Sequence, residues 1–464
     1  MTHNPATSRA LSVRRGRQSF PFTLLAALAI LMPRPVAAQS PRYETLYSFK
    51  GSPDGADPEG ALVIGKHGEL YGTTFAGGTS VLGTVFVLTH PSGQPWKETV
   101  LHNFNGSDGQ YPQSALVFGS TGAFYGVTIG GGPGGSGTIF ELAPPSISGG
   151  AWTETLLYGF TYSGNGQNAV PNGPLLIGPG GTLYTTTRGG PDGPAGTPLG
   201  LVIALVPPAT PGANWTEYEL YAFGGPQGQV PLAAAASESG SLFGTTAHGG
   251  GQSCGGIGCG VVYELSPPAA RGGTWTEAAI HAFGETPGDG QEPFAALTVG
   301  PGGVLYGTTQ FGGSGVCATS GGVEGCGTVF QLTPPTAPGG TWTESVIYNF
   351  IGANGDGAAP VAGLVVGTNG VVYGTTLSAG STTSDSACPA SYYVIAGCGT
   401  VFELTPPAAP GGAWTEKVLH SFSGANGDGA IPVAGLAMSP AGPLYGTTSA
   451  GGTAGRGTVF AVAP

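Results

Sequence analysis

The chain has 464 residues, with 89 Gly and 41 Pro, and only 8% of its residues are charged while 40% are hydrophobic. That apolar content builds a large core and excludes a disordered chain, and Gly without a three-residue period excludes a collagen-like one. Residues 1–38 hold five of the 13 Lys and Arg and no acidic residue, so the remainder carries 8 basic and 25 acidic residues, net −17, which argues against nucleic acid or an anionic membrane as partner.

Arg9, Arg14, Arg15 and Arg17 precede an apolar run over 22–32, and Val36, Ala37 and Ala38 supply small residues before Gln39. This is the pattern of a secretory signal cleaved after Ala38. The run is short for a membrane span, with a retained anchor as the other reading. The predicted division is a signal peptide over 1–38 and one domain over 39–464, located outside the cell, in the periplasm or at the cell surface, with no membrane span in the mature chain.

Residues 43–49 (Tyr-Glu-Thr-Leu-Tyr-Ser-Phe) read as a lone strand. After it one unit recurs seven times, each opening on a proline: Pro58, Pro112, Pro171, Pro231, Pro293, Pro360 and Pro432. In the sixth copy, strand A follows Pro360 over 361–366, a Gly-bearing turn leads to strand B over 371–376, and a loop leads to strand C over 399–404. A Pro/Gly-rich connection then leads to strand D over 414–422. β-Branched and aromatic content between Gly and Pro boundaries supports these strands. The strand-B aromatic recurs as Tyr71, Tyr125, Tyr184, Phe243, Tyr306, Tyr373 and Tyr445, and the strand-C position as Phe86, Phe140, Ile203, Tyr263, Phe330, Phe402 and Phe460. All six Trp stand eight residues before the Phe that closes strand D. They are either packing residues or a ring of ligand-stacking aromatics.

Four-stranded units of this size predict an all-β, seven-bladed β-propeller with four antiparallel strands per blade, a parallel β-helix being the alternative. The chain starts on a strand D and stops on a strand C (459–462), so the N-terminal strand is expected to close the last blade and leave no bare edge. Alternating strand directions put the B–C and D–A loops on one face. Nearly all length variation falls in the B–C loops, which makes that face the candidate for binding.

The six Cys lie in the B–C loops of blades 4 to 6: Cys254 and Cys259, Cys317 and Cys326, Cys388 and Cys398. Fifteen pairings are formally open; one pair per insertion in a secreted chain favours three local disulfides. A cysteine metal site would need separate blades to converge, without supporting His spacing, and no metal or cofactor is implied. His102, His281 and His420 alternate with Tyr47, Tyr158, Tyr221 and Tyr348 at one strand-D position, which suggests a structural slot. His248 opens a B–C loop on the candidate face, as a base, a ligand or a solvated loop residue. The D–A loops carry Asp54-Gly55, Asp108-Gly109, Asn165-Gly166, Asp289-Gly290, Asp356-Gly357 and Asp428-Gly429, which Asx turns explain without a ligand. Asp289, Asp356 and Asp428 join His248 as ligand-face candidates. No catalytic motif is found, and the strand-C and post-Trp Glu recur too regularly to mark a unique active site.

The motif Leu-Tyr-Gly-Thr-Thr, then Gly-Gly, then Gly-Thr-Val-Phe-Glu-Leu resembles the GloVer repeat of bacterial choice-of-anchor tandem-repeat proteins, over residues 43–464. The resemblance implies an exported surface protein and supplies no catalytic residues. The expected function is non-enzymatic: a monomeric propeller binding a carbohydrate or a surface protein through the B–C/D–A face. The alternative is an extracellular polysaccharide hydrolase or lyase with its site at the central channel mouth.

Overall fold

The architecture comes from a computed structural model that describes residues 42–464 except 148, 162–169, 190–199, 211, 226–227, 233–235, 239, 271–272, 320–321, 338, 381–387, 389–394 and 410. The expected signal peptide, Pro41 and the Asn165-Gly166 turn lie outside the described residues.

Seven antiparallel sheets form a seven-bladed β-propeller. Blade 1 runs from the channel outward as Val63–Ile64, Leu70–Thr74, Thr84–Thr89 and Lys97–Asn103. Blade 7 is built from Ala437–Met438, Leu444–Thr448, Thr458–Ala463 and the N-terminal strand Arg42–Ser48. The seam is antiparallel, from Arg42 opposite Ala463 to Ser48 opposite Thr458, with a bulge between Thr45 and Tyr47. The ring is also closed at its centre, where the Thr447 hydroxyl of blade 7 donates to the Gly60 carbonyl of blade 1 at 3.3 Å. The same bond joins blades elsewhere: Thr73 to Ser114, Thr245 to Ala295, Thr308 to Ala362 and Thr375 to Ala434.

The repeated Tyr-Gly-Thr-Thr has a packing cause. The strand-B glycine sits opposite the strand-C aromatic, as Gly72 opposite Phe86 and Gly374 opposite Phe402. A Cβ on Gly374 would lie 2.5 Å from Phe402 Cζ and 2.8 Å from Leu364 Cδ2, so only glycine lets the ring lie flat across strand B. Blade 3 exchanges both partners: Thr185 stands opposite Ile203, and both are buried. The threonines that end strand B and open strand C bond each other, as Thr74 with Thr84 at 2.8 Å and Thr376 with Thr400 at 2.9 Å.

Strand A is shorter than the sequence suggests. In blade 6 only Val365–Val366 pairs with strand B, against an expected 361–366. The residues just after the prolines line the channel, and in five blades the carbonyl two residues past the proline accepts the neighbouring blade's Thr hydroxyl in place of a ladder; in blade 3 the Gly173 carbonyl accepts from Thr185 of its own blade. The residue before the proline takes a left-handed backbone in six blades: Asp57, Tyr111, Val230, Glu292, Ala359 and Ile431, with φ between 54° and 60°. Such a conformation costs on the order of 1–3 kcal/mol per residue. It is offset by a latch, in which that residue's N–H donates to the carbonyl just before the glycine that opens the previous blade's strand C. The described examples include Tyr111 to Leu82 at 2.8 Å, Ala359 to Cys326 at 2.9 Å, Ile431 to Cys398 at 3.0 Å and Asp57 to Arg456 at 2.9 Å.

All six cysteines form disulfides within their own loops: Cys254–Cys259, Cys317–Cys326 and Cys388–Cys398. The D–A and B–C loops share an end of the ring, since Gly55–Ala56 pairs with Ala76–Gly77 and Gly429–Ala430 with Ala450–Gly451. No helix among the described residues is long and apolar enough to cross a membrane.

Candidate functional site

In blade 1, Gly55 pairs at the loop end of the ring that carries the B–C turns, and Val63 pairs at the opposite end. Glu59 lies between them, just past Pro58, and lines the central channel. Equivalent residues of the other blades complete a ring around a cavity of about 510 Å³. One arc is polar, Glu59, Gln113 and Asn172; the other is apolar, Leu232, Phe294, Val361 and Val433. Small residues such as Gly60, Ala115, Ala295 and Ala434 line the space behind them. Gln113 Nε2 donates to Glu59 Oε2 at 2.8 Å. Burial pushes the Glu59 carboxyl up, the Gln113 bond opposes this, and the Asp57 charge adds to the rise.

Sequence reasoning used the prolines as a ruler and missed the residue after each. The signal was present: that position reads Glu, Gln, Asn, Leu, Phe, Val, Val, while the two that follow are mostly small.

The aspartates of the D–A loops do not line this cavity. Their carboxylates hold their own loops. Asp289 accepts from Gly290 N at 2.7 Å and Gly284 N at 2.9 Å, and Asp356 from Gly357 N and Ile351 N, both at 2.7 Å. Asp428 accepts from Gly429 N at 2.8 Å, Ser423 N at 2.8 Å and Ser423 Oγ at 2.9 Å. Asp289 also borders a groove of about 520 Å³ between its own loop and the B–C loop of blade 5. His248 ends strand B of blade 4 opposite Gln229 and does not line the channel cavity. Burial lowers its pKa, and its Nδ1 is buried without a partner. Four of the Trp pack across blade joints, Trp152 on Tyr71, Trp215 on Tyr125, Trp342 on Phe243 and Trp96 on Tyr445, and Trp152 also stacks on Phe124 of its own blade, the packing role.

The joints also carry polar clusters. At four of them the strand-D Tyr or His of one blade, its own loop aspartate and the post-Trp Glu of the next blade come together: Tyr47–Asp54–Glu98, His102–Asp108–Glu154, His281–Asp289–Glu344 and Tyr348–Asp356–Glu416. Tyr47 donates to Asp54 Oδ2 at 3.0 Å, and Tyr158 to Glu217 Oε2 at 2.8 Å. Burial, with Asp54 beside it, pushes Glu98 up to about 7, and burial with Asp356 beside it does the same to Glu416. A carboxyl whose folded pKa is raised binds its proton more tightly in the folded state. Its contribution is full below its unfolded value, near 4.5, and is lost as pH rises through about 7. We expect a metal-free sample to lose stability to these groups between about pH 5 and about pH 7.5. Half-buried His102 and His248, with pKa values that desolvation lowers, act oppositely as pH falls, so the test is a difference. Glu98→Gln with Glu416→Gln should flatten the calorimetric Tm profile by on the order of 1 kcal/mol per site, after allowing for partial exposure. An unchanged slope would contradict this.

No curated protein sequence matches the chain. Among solved structures, the extracellular domain of a B. thetaiotaomicron hybrid two-component system is 9% identical with a TM-score of 0.47, over 91% of this chain and 41% of that one. PorZ, a surface component of the Porphyromonas gingivalis type-IX secretion system, is 12% identical with a TM-score of 0.38, over 82% and 43%. The chain thus spans less than half the length of either. A polysaccharide lyase is 13% identical with a TM-score of 0.47, over 92% and 93%. Likenesses at this level carry no argument about activity. The repeat itself is more informative: a family model matches residues 36–257 and 315–464, and the chain belongs to the Gloeobacter/Verrucomicrobia repeat family.

Proposed function

We propose that the protein is a non-enzymatic binding propeller that takes a carbohydrate at its channel mouth, on the B–C/D–A face. The observation that carries this is the split ring. A pyranose presents hydroxyls along its edges and C–H groups on its faces. Glu59, Gln113 and Asn172 offer acceptors and donors for the former, and Phe294 with its aliphatic neighbours offers an apolar wall for the latter. Calorimetric titration of glycans found on an array should show binding that weakens about tenfold or more, 1.4 kcal/mol per decade, in Phe294→Ala and in Asn172→Ala. Unchanged affinity in Glu59→Ala/Gln113→Ala/Asn172→Ala, at unchanged Tm, would sink the reading.

The second reading is a polysaccharide hydrolase or lyase at the same mouth. Its support is Glu59, a carboxyl that burial raises, as a general acid requires. It is the one carboxylate among the described residues lining the cavity, where glycoside cleavage ordinarily uses two. Release of reducing ends or unsaturated sugars by the parent chain, lost in Glu59→Gln, would favour it over binding.

A further inference from the structure

We propose that two of the joints between blades, His102–Asp108–Glu154 and His281–Asp289–Glu344, each bind a divalent transition-metal ion, with Zn²⁺ as the probe. In each, one ligand atom from every residue lies within 4.8 Å of the other two. His102 Nε2 is 3.2 Å from Asp108 Oδ2, and His281 Nε2 is 3.5 Å from Asp289 Oδ1. Ligand atoms about 2.0–2.2 Å from a shared zinc lie about 3.2–3.6 Å apart, so the nitrogen–oxygen spacing already suits one ion and the glutamate needs only a small rotation.

The second observation concerns partners. His102 Nε2, Glu154 Oε1, His281 Nε2 and Glu344 Oε1 are all buried and lack a hydrogen bond. The histidine is close to the aspartate in distance but not aligned as a donor to it. Four buried polar atoms without partners, converging in two places, are what a cation would satisfy. The aspartates are already oriented. Asp108 accepts from Asn105 N at 3.0 Å and Asn105 Nδ2 at 2.6 Å, and Asp289 from the Gly284 and Gly290 amides, leaving lone pairs toward the histidine. Two carboxylates and a neutral imidazole also balance a divalent charge.

The repeat supplies its own controls. In the third His joint Tyr43 replaces the glutamate: His420 Nε2 hydrogen-bonds Asp428 Oδ1 at 3.2 Å, and its ring stacks on Tyr43 at 3.5 Å. That joint is satisfied without an ion. In the tyrosine joints the phenol proton does the same for Asp54 or Glu217. Of the three histidine joints, the imidazole Nε2 lacks a hydrogen-bond partner in the two where histidine, aspartate and glutamate coincide and has one in the third. Each ion would clamp strand D of one blade to strand D of the next.

The test uses the untagged, oxidised chain, stripped with chelator and titrated with zinc chloride, with bound zinc counted after equilibrium dialysis. Two zinc ions per chain are expected, with Kd of about 10 μM or tighter. His102→Tyr and His281→Tyr should each remove one ion and together both, while His420→Tyr should leave two. Tyrosine fills this position in four other joints, so the ring should survive; if His102→Tyr does not fold, Glu154→Gln takes its place and should also remove one ion. No binding at about 100 μM zinc, binding that persists in the double variant, or an equal loss in His420→Tyr would each overturn the proposal.

Discussion

Deleting residues 42–49 is expected to abolish cooperative folding. The segment supplies all of strand D of blade 7, and with it the buried Phe49, which meets Phe86 edge-on at 5.1 Å. Truncating one buried Phe costs about 3–5 kcal/mol, and the lost ladder with Leu46 and Tyr47 adds to that, against a typical total of about 5–15 kcal/mol. Reattaching the same residues after Pro464 through a short turn should restore the fold, because Arg42 already lies opposite Ala463. Circular dichroism and sedimentation give the answer. A truncated chain that melts sharply as a monomer would show that the seam is not what holds the ring shut.

Replacing Gly374 by Thr should destabilise blade 6 by about 1–3 kcal/mol or more, because the new Cβ meets Phe402 and Leu364. Phe402→Ile alone should also be destabilising, through the space left in the core. Together they recreate the Thr185–Ile203 pair of blade 3 and should recover more than about 1 kcal/mol of the summed losses. Denaturant melts of the four chains measure the coupling. Strict additivity would mean that blade 3 departs from the motif for a reason unrelated to this contact.

The ring itself was legible because its anchors are local. Pro360 with Tyr373, and Trp414 with Phe422, recur at almost constant steps, and a spare strand D at the N-terminal end matches the one missing from the last unit. The disulfides were legible because each pair brackets one insertion. The channel mouth was not, because Glu59, Gln113 and Asn172 stand about 55 residues apart and become neighbours only when seven copies face a common axis. The joint clusters were hidden similarly. The His/Tyr interchange, the Asp-Gly turns and the post-Trp Glu each looked like an isolated structural position. His102 and Glu154 come together only across a blade boundary. The extent of strand A was overread, since residues after the proline are β-like in composition but give their carbonyls to the adjacent blade.

The second cysteine of each disulfide has another consequence. The Cys259, Cys326 and Cys398 carbonyls are the acceptors for Glu292, Ala359 and Ile431 of the following blades. Oxidation therefore reinforces three successive boundaries, from blade 4 through blade 7, and none of the others. Under heat or load the circle is weakest on its unstapled half, so fracture starts there, and amides near Leu82 and Tyr111 exchange with solvent before those of the stapled arc.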